Sequence, residues 1–241
     1  MAGRGTVGAL LVSGLVGVIA IGGAGGYGVG LLTTAERSDA ASGVAAPLGS
    51  LQPSTPSPTV GTTPTPPPKK IVPDNSEPLN ADDLYYKTRQ FAATSVVRSE
   101  VSLRVPGNWN FTQPDPPKIG RYTDPTGKRW LRIEAGFTIR RSPADSMAAK
   151  LVDLGTVPAN QMLSIKSQTV DPDTHDATLV YTYVPDNSVR YVVVRWVANG
   201  DGLCTFEIAV TGLPQDQAAL EDVLQHAADS AARDDSPITP R

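Results

Sequence analysis

An uncharged stretch near the start of the chain limits its folding more than any other feature. The stretch runs from Thr6 to Thr33 and contains 28 residues. A helix needs roughly 20 apolar residues to cross the hydrocarbon layer, and backbone polar groups in lipid must be satisfied within the segment itself. We therefore predict a transmembrane anchor within residues 1–33. A cleaved secretory signal is the alternative, since small residues lie near Gly22, but the apolar run continues to Leu32.

Three glycines of this stretch recur at every fourth position. Gly22, Gly26 and Gly30 would lie on one helix face, with the small-xxx-small spacing that lets membrane helices pack closely. Glycine is so frequent here that composition alone also explains the spacing, so self-association through this face is one hypothesis. Arg4 precedes the span, and this Lys/Arg bias favours a cytoplasmic N-terminus and an exterior domain.

The segment after the predicted span has the composition of an exposed stalk. Pro53 to Pro68 holds seven Pro and seven Ser or Thr among 16 residues. Such a chain cannot bury a core and adopts extended polyproline II conformations, about 3.1 Å long per residue. We predict a disordered linker rich in Ala, Pro, Ser and Thr over residues 34–78. Its composition also suits O-glycosylation. An SH3-type ligand is the alternative, which an exterior location disfavours.

Residues 79–233 mix apolar and polar residues as one folded domain does. Short loops join alternating segments, which predicts antiparallel hairpins. The clearest hairpin turns at Asp124-Pro125-Thr126-Gly127, because Pro presets φ at the second position and Gly closes the turn. The predicted strands are residues 101–105, 119–139 with this turn inside, 163–170, 177–184, 189–197 and 203–210.

Three helices are predicted around these strands. Asn80 indicates the start of a first helix over residues 81–93, Ser142 caps a second, and Leu213 opens a third. Strand hairpins combined with a few helices predict an α+β fold, with a mainly antiparallel sheet of about six to seven strands covered by helices. A disordered tail is predicted over residues 234–241.

The charge and the cysteine content exclude the pattern of a nucleic-acid-binding protein and a domain held by an internal disulfide. The net charge is −3 and no block of like charge occurs, so the basic footprint of a nucleic-acid-binding protein is absent. Cys204 is the single cysteine, so an internal disulfide is excluded. It lies in an alternating segment, and we expect it to be buried on the same face as Phe206 and Ile208.

No motif in the domain indicates catalysis. His175 and His226 are candidates for acid–base chemistry, but solvated surface histidines are the ordinary interpretation of both. Two His and one Cys without clustered spacing predict no metal site. Neither a nucleophile elbow nor a phosphate-binding loop occurs in the domain. We therefore predict no catalytic residue, no metal and no cofactor.

Basic and aromatic residues cluster on the predicted hairpin and its exit. The cations are Arg121, Lys128, Arg129, Arg132, Arg140 and Arg141. Alternation along the second strand places Trp130 and Arg132 on one face, and Arg and Trp are frequent at binding hot spots. The predicted binding residues are Arg121, Arg129, Trp130 and Arg132. The alternative is ordinary, with arginine stems that cover the sheet and guanidiniums that pair with local acids.

A family resemblance rests on two segments of the domain. They are Val101-Ser-Leu-Arg-Val-Pro-Gly-Asn-Trp109 and Arg121-Tyr-Thr-Asp-Pro-Thr-Gly-Lys-Arg-Trp-Leu-Arg132. The chain from Glu100 to about Ala232 thereby resembles the PsbP-like α/β/α extracytoplasmic domains of actinobacterial membrane proteins and envelope lipoproteins, and the C-terminal extracytoplasmic domain of some serine/threonine kinases. The resemblance implies a fold and an extracytoplasmic location, and it supplies no catalytic residue.

These features together predict a single-pass protein of the cell membrane whose C-terminal domain lies outside the cytoplasm. We expect a binding or interaction module without catalytic activity. Its partner would be another envelope protein or an anionic cell-wall polymer, and not nucleic acid. A structural subunit or scaffold of an envelope membrane complex, associating through the glycine face, is the alternative. An unrecognised envelope enzyme is a third hypothesis.

Overall fold

The computed structural model describes residues 69–114 and 116–238. The predicted membrane span, with Gly22, Gly26 and Gly30, and most of the predicted linker lie outside the described residues. Across the two described ranges, no helix has the length and apolar character needed to cross a membrane.

The described part of the chain has two antiparallel sheets and two α-helices, which confirms the predicted α+β class. Its strands are β1 (Tyr86–Thr94), β2 (Arg98–Pro106), β3 (Asn110–Thr112), β4 (Ile119–Thr123), β5 (Trp130–Glu134), β6 (Ser164–Val170), β7 (Ala177–Tyr183), β8 (Arg190–Ala198), β9 (Cys204–Gly212) and β10 (Ala232–Ser236). Helix α1 spans Pro143–Leu154 and helix α2 spans Gln217–Asp229. The larger sheet has the order β3-β4-β5-β9-β8-β7-β6, and the smaller one β1-β2-β10. The smaller sheet was not predicted.

Apolar side chains cover both faces of the larger sheet. On one face α2 and the smaller sheet enclose a core that includes Leu131 and Ile133 of β5. On the other face α1 packs against β7 and β8. Because β8 is buried on both faces, it carries the nearly continuous apolar run Tyr191-Val-Val-Val194 in place of a simple alternation.

Helix α1 begins at the predicted N-cap. The Ser142 hydroxyl accepts a hydrogen bond from the N–H of Asp145 at 3.1 Å, and Pro143 occupies the first helical position. The cap thereby satisfies one of the free N–H groups of the first turn. The helix ends at Leu154, followed by Gly155 as its C-cap.

The first predicted helix, over residues 81–93, is wrong. Asn80 caps only a short 3₁₀ helix, Ala81–Asp83, and β1 follows. The whole of β1 pairs with β2, and Phe91 and Ala93 are buried at alternate positions as a strand requires. Pairing with a distant segment therefore overrides the local helix signal. The second strand of the hairpin also ends early, at Glu134.

The predicted disordered tail is partly a strand. β10 (Ala232–Ser236) pairs antiparallel with β2. Arg233 fixes this strand, because its guanidinium donates to the carbonyl oxygens of Thr205 at 2.7 Å and Phe137 at 2.5 Å. An ion pair also joins Arg233 to Asp235 at 2.7 Å.

Cys204 is buried, with 3% of its surface exposed, but on the face opposite to the one predicted. Val197 pairs with Phe206 and Ala198 with Cys204, so Thr205 is an extra residue in β9. Such a bulge reverses the alternation of a strand at that point. Cys204 accordingly packs in the core beneath α1, whereas Phe206 packs in the core beneath α2.

Candidate anion-binding site

The predicted turn Asp124–Gly127 connects β4 to β5, and the resulting hairpin carries the predicted binding residues. Asp124 Oδ1 accepts hydrogen bonds from the N–H groups of Lys128 at 2.9 Å and Arg129 at 3.1 Å. β5 follows with strict alternation, so Leu131 is buried whereas Trp130 and Arg132 point to the opposite face. That opposite face is the one on which α1 packs.

Arg129 is not part of the accessible surface, because only 4% of it is exposed. Its Nε and Nη2 donate to the two carboxylate oxygens of Asp216 at 2.7 and 2.9 Å. Its Nη1 lies 3.3 Å from Asp124 Oδ2, and Nη2 also donates to the carbonyl oxygen of Glu77 at 2.6 Å. The prediction of Arg129 as a binding residue is therefore corrected, since Arg129 is the internal counter-ion of a fully buried aspartate.

Arg132 is likewise paired within the protein. Its guanidinium contacts Glu207 and lies 3.3 Å from Glu134 Oε2, and its side chain is 17% exposed. Burial raises the pKa of Glu207, but the charges of Arg132 and Lys150, with hydrogen bonds from Trp196 and Arg132, bring it below its ordinary value. The indole N–H of Trp196 adds a hydrogen bond to Glu207 at 3.1 Å. The alternative interpretation of the hairpin, arginines that pair with local acids, thus describes Arg129 and Arg132.

Arg121 and Trp130, the other two predicted binding residues, are both partly exposed and contact each other. The Arg121 guanidinium carbon lies 4.5 Å from the centroid of the Trp130 ring. Its Nε is buried and has no hydrogen-bond partner among the described residues. Desolvation lowers the pKa of Arg121, and no described carboxylate forms an ion pair with it. Arg121 is therefore a half-buried cation without an anionic partner in the part of the chain that the structure describes.

Two residues from distant strands complete this cluster. The guanidinium carbon of Arg190, on β8, lies 5.7 Å from the same Trp130 ring. Tyr183 of β7 pairs with Arg190 in the sheet register. Burial raises the pKa of Tyr183, and the positive charges of Arg190 and Arg121 partly oppose this rise. The negative charge of Asp186 adds to the rise in this pKa.

We call Arg121, Trp130, Tyr183 and Arg190 the arginine–tryptophan site. Sequence reasoning missed Arg190 and Tyr183 because they look like ordinary residues of two strands. Only the sheet order β4-β5-β9-β8-β7 brings them near the hairpin. The site offers two guanidiniums, an aromatic face and a hydroxyl, which is the chemistry that binds carboxylate, phosphate or sulfate groups.

The two histidines lie far apart in the chain and in different surroundings. His175 is exposed in the turn before β7, with a left-handed φ of 62°. His226 of α2 stacks on Tyr86 with ring centroids 3.9 Å apart, and its Nδ1 lies 3.4 Å from Asp222 Oδ1. No group of three or more His, Cys, Asp or Glu suited to a metal ion occurs in the described ranges.

An open groove of ≈ 560 Å³ lies on the α2 face of the larger sheet. It is lined by Lys166, Ser167, Val180, Thr182, Val189, Tyr191, Pro214, Gln217 and Glu221. The Glu221 carboxylate accepts hydrogen bonds from the Tyr191 hydroxyl at 2.9 Å and from Gln217 at 3.1 Å. The Glu221 carboxylate is thus engaged within the protein, whereas Arg121 and Arg190 form no ion pair with a carboxylate of the described ranges.

Comparison with known proteins does not identify a function for this site. No family model matches the chain, and no curated protein matches it. One solved structure to which it is similar is the Ran-binding protein Mog1p of Saccharomyces cerevisiae, at 11% sequence identity and a TM-score of 0.42. The match covers 61% of this chain and 96% of Mog1p. A likeness at this level carries no argument about function.

Proposed function

We propose that this protein is a membrane-anchored, extracytoplasmic binding module without catalytic activity, and that its arginine–tryptophan site holds an anionic ligand such as a cell-wall polymer. One observation carries the proposal. Arg121 and Arg190 approach one indole ring, at 4.5 and 5.7 Å, and neither pairs with a described carboxylate. The chain has a net charge of −3, so this local excess of positive charge does not follow from its composition.

The other two arginines of the hairpin are paired with carboxylates within the protein. Arg129 meets the carboxylates of Asp216 and Asp124, and Arg132 meets those of Glu134 and Glu207. A partly buried charge without such a partner loses hydration and gains no ion pair in return. An anionic ligand would supply the missing interaction, which supports a binding role for Arg121 and Arg190.

The geometry favours a ligand with more than one negative charge. Arg121 reaches Trp130 from β4 and Arg190 reaches it from β8, so the two guanidiniums lie on opposite sides of β5 in the sheet order. Cation–π contact with the indole ring orients both groups, and their planar forks match carboxylate and phosphate oxygens. A polymer with repeated anionic groups can engage both arginines at once.

The extracytoplasmic location is part of the proposal. It rests on the uncharged stretch from Thr6 to Thr33 and on the Pro-rich segment from Pro53 to Pro68. A domain displayed on such a stalk would meet the anionic polymers and acidic proteins of the envelope.

Calorimetric titration of the full-length chain in a non-ionic detergent tests the proposal. Dextran sulfate is the probe, and neutral dextran, which has the same backbone, is the control ligand. We expect binding to dextran sulfate alone. The double substitution Arg121→Ala and Arg190→Ala should weaken it at least about tenfold, because a hydrogen bond to a charged group contributes roughly 1.5–3 kcal/mol.

A charge-matched variant separates the site from general electrostatics. Lys87 and Arg89 are exposed on β1 and form no ion pair with any described carboxylate. The double substitution Lys87→Ala and Arg89→Ala removes the same net charge and should leave the affinity nearly unchanged. Equal weakening by the two double variants, or no binding of dextran sulfate by the wild type, would contradict the proposal.

A further inference from the structure

Residues 69–76 form a strap beside the arginine–tryptophan site, whereas Glu77 and Leu79, which follow it, are bonded to the buried Arg129–Asp216 pair. At its start, Lys69 Nζ donates to the carbonyl oxygens of Val184, at 3.1 Å, and Pro185. The N–H of Val72 donates to the carbonyl oxygen of Asn187 at 2.8 Å. Residues 69–78 were predicted as part of the disordered linker, yet they make specific contacts with the β7–β8 turn and with the hairpin.

The middle of the strap brings a carboxylate to the hairpin. Both oxygens of Asp74 lie 2.9 Å from Lys128 Nζ, and the Ser76 hydroxyl contacts both groups. The side-chain amide of Gln215 holds this part of the strap in place, because it donates to the carbonyl oxygens of Asp74 at 2.9 Å and Ser76 at 3.3 Å. Lys128 is therefore paired with an acid that the strap supplies.

Lys128 is also bonded directly to the arginine–tryptophan site. Its carbonyl oxygen accepts a hydrogen bond from Arg190 Nη1 at 3.1 Å. Its N–H donates to Asp124 at 2.9 Å, so the hairpin turn fixes the Lys128 backbone independently of the strap. Loss of the strap would free the ammonium group and leave the backbone in position beside Arg190.

We propose that the strap autoinhibits the arginine–tryptophan site, with Asp74 acting as an internal anion on Lys128. Release of the strap adds Lys128 to the site as a third cation and strengthens its hold on a polyanion. By linkage, a polyanion that engages Lys128 also promotes release of the strap. This inference rests on the proposed function, whose site it regulates.

The Asp74–Lys128 contact has the strength that such a switch needs. The Lys128 side chain is 37% exposed, although that of Asp74 is only 16% exposed. Solvent at Lys128 screens the pair, and solvent-screened ion pairs contribute only about 0–1 kcal/mol. A polyanion can therefore compete with Asp74 for Lys128. Hydrogen bonds from Ser76 and Lys128 hold the pKa of Asp74 well below its ordinary value, so mild acidification leaves the carboxylate charged and does not open the contact.

A double-mutant cycle in the full-length chain tests the inference, with dextran sulfate as the probe. Asp74→Ala should bind dextran sulfate about two- to fivefold more tightly than the wild type, as one added exposed cation allows. In a Lys128→Gln background the same change should add nothing. Asp201→Ala is the matched control, because Asp201 is an exposed carboxylate in the β8–β9 loop. The Asp201→Ala substitution changes the net charge by the same amount as Asp74→Ala and should not increase the affinity for dextran sulfate.

Hydrogen exchange supplies a second readout. The N–H of Val72, bonded to Asn187, should exchange faster when dextran sulfate is added and should not respond to neutral dextran. An equal gain in the Lys128→Gln background, or unchanged exchange at Val72, overturns autoinhibition. If binding depends on Arg121 and Arg190 but not on Asp74, only this inference fails. If no variant binds dextran sulfate, the proposed function fails with it.

Discussion

Replacing Arg129 by alanine should lower the free energy of unfolding of the protein. It should not affect ligand binding directly. The Arg129 guanidinium donates to both oxygens of Asp216 at 2.7 and 2.9 Å and contacts Asp124 at 3.3 Å. Without it, the donors that the described residues still offer the fully buried Asp216 carboxylate are the N–H groups of Leu79 and Leu213, at 2.8 and 3.0 Å. Removing one partner of a buried ion pair costs about 3–5 kcal/mol, and we expect a loss of stability in this range.

Urea unfolding followed by tryptophan fluorescence measures this loss. Arg98→Ala is the matched control, because Arg98 pairs with Glu100 at 2.8 Å on the surface, where both side chains are more than half exposed. Its substitution should cost no more than about 1 kcal/mol. Asp216→Ala in the Arg129→Ala background should cost less than in the wild type, since the unpaired buried charge is removed. A cost for Arg129→Ala as small as that for Arg98→Ala would refute this assignment.

Three further predictions concern the core, the helix cap and acid stability. Cys204 should react with a thiol reagent at pH 8 only after unfolding, because desolvation raises the pKa of its thiol to about 12; rapid reaction of the native protein would contradict its burial. Ser142→Ala should lower the free energy of unfolding by about 1 kcal/mol through loss of the cap to Asp145, whereas Ser142→Asp should retain most of it. Desolvation raises the pKa of Asp216, but hydrogen bonds from Arg129 and two backbone N–H groups lower it further, to below its ordinary value. The stability that Asp216 contributes is then present above its unfolded pKa of about 3.9 and is lost as the pH falls through the lower folded value. Urea midpoints measured down that range should fall in the wild type and fall less in Asp216→Asn.

The elements that sequence reasoning located depend on local signals. The turn Asp124–Gly127, the cap at Ser142 and the hairpins of β6 to β9 each follow from residues within a few positions of one another. The helix predicted over residues 81–93 failed because its cap at Asn80 is local, whereas β1 owes its structure to pairing with β2. Strand β10 escaped prediction for the same reason, since a short polar segment gains strand structure only beside β2.

The sequence alone predicted two of the four residues of the candidate site. Arg121 and Trp130 lie in one hairpin, but Arg190 joins them through the strand order of the sheet. Arg129 was predicted on the surface because its buried partner, Asp216, is supplied by a segment far away in the chain. Whether an arginine serves the core or a ligand depends on where the carboxylates come to lie, and a single sequence does not encode that locally.

The most direct test of the binding account is an NMR titration of the full-length chain with dextran sulfate. The indole N–H of Trp130 and the Nε–H groups of Arg121 and Arg190 report on the arginine–tryptophan site. We predict that these three resonances shift together and saturate, whereas the Nε–H of Arg129, held by Asp216, stays unchanged. Shifts confined to Arg89 and other exposed cations, or none at all, would contradict an anion-binding role for this site.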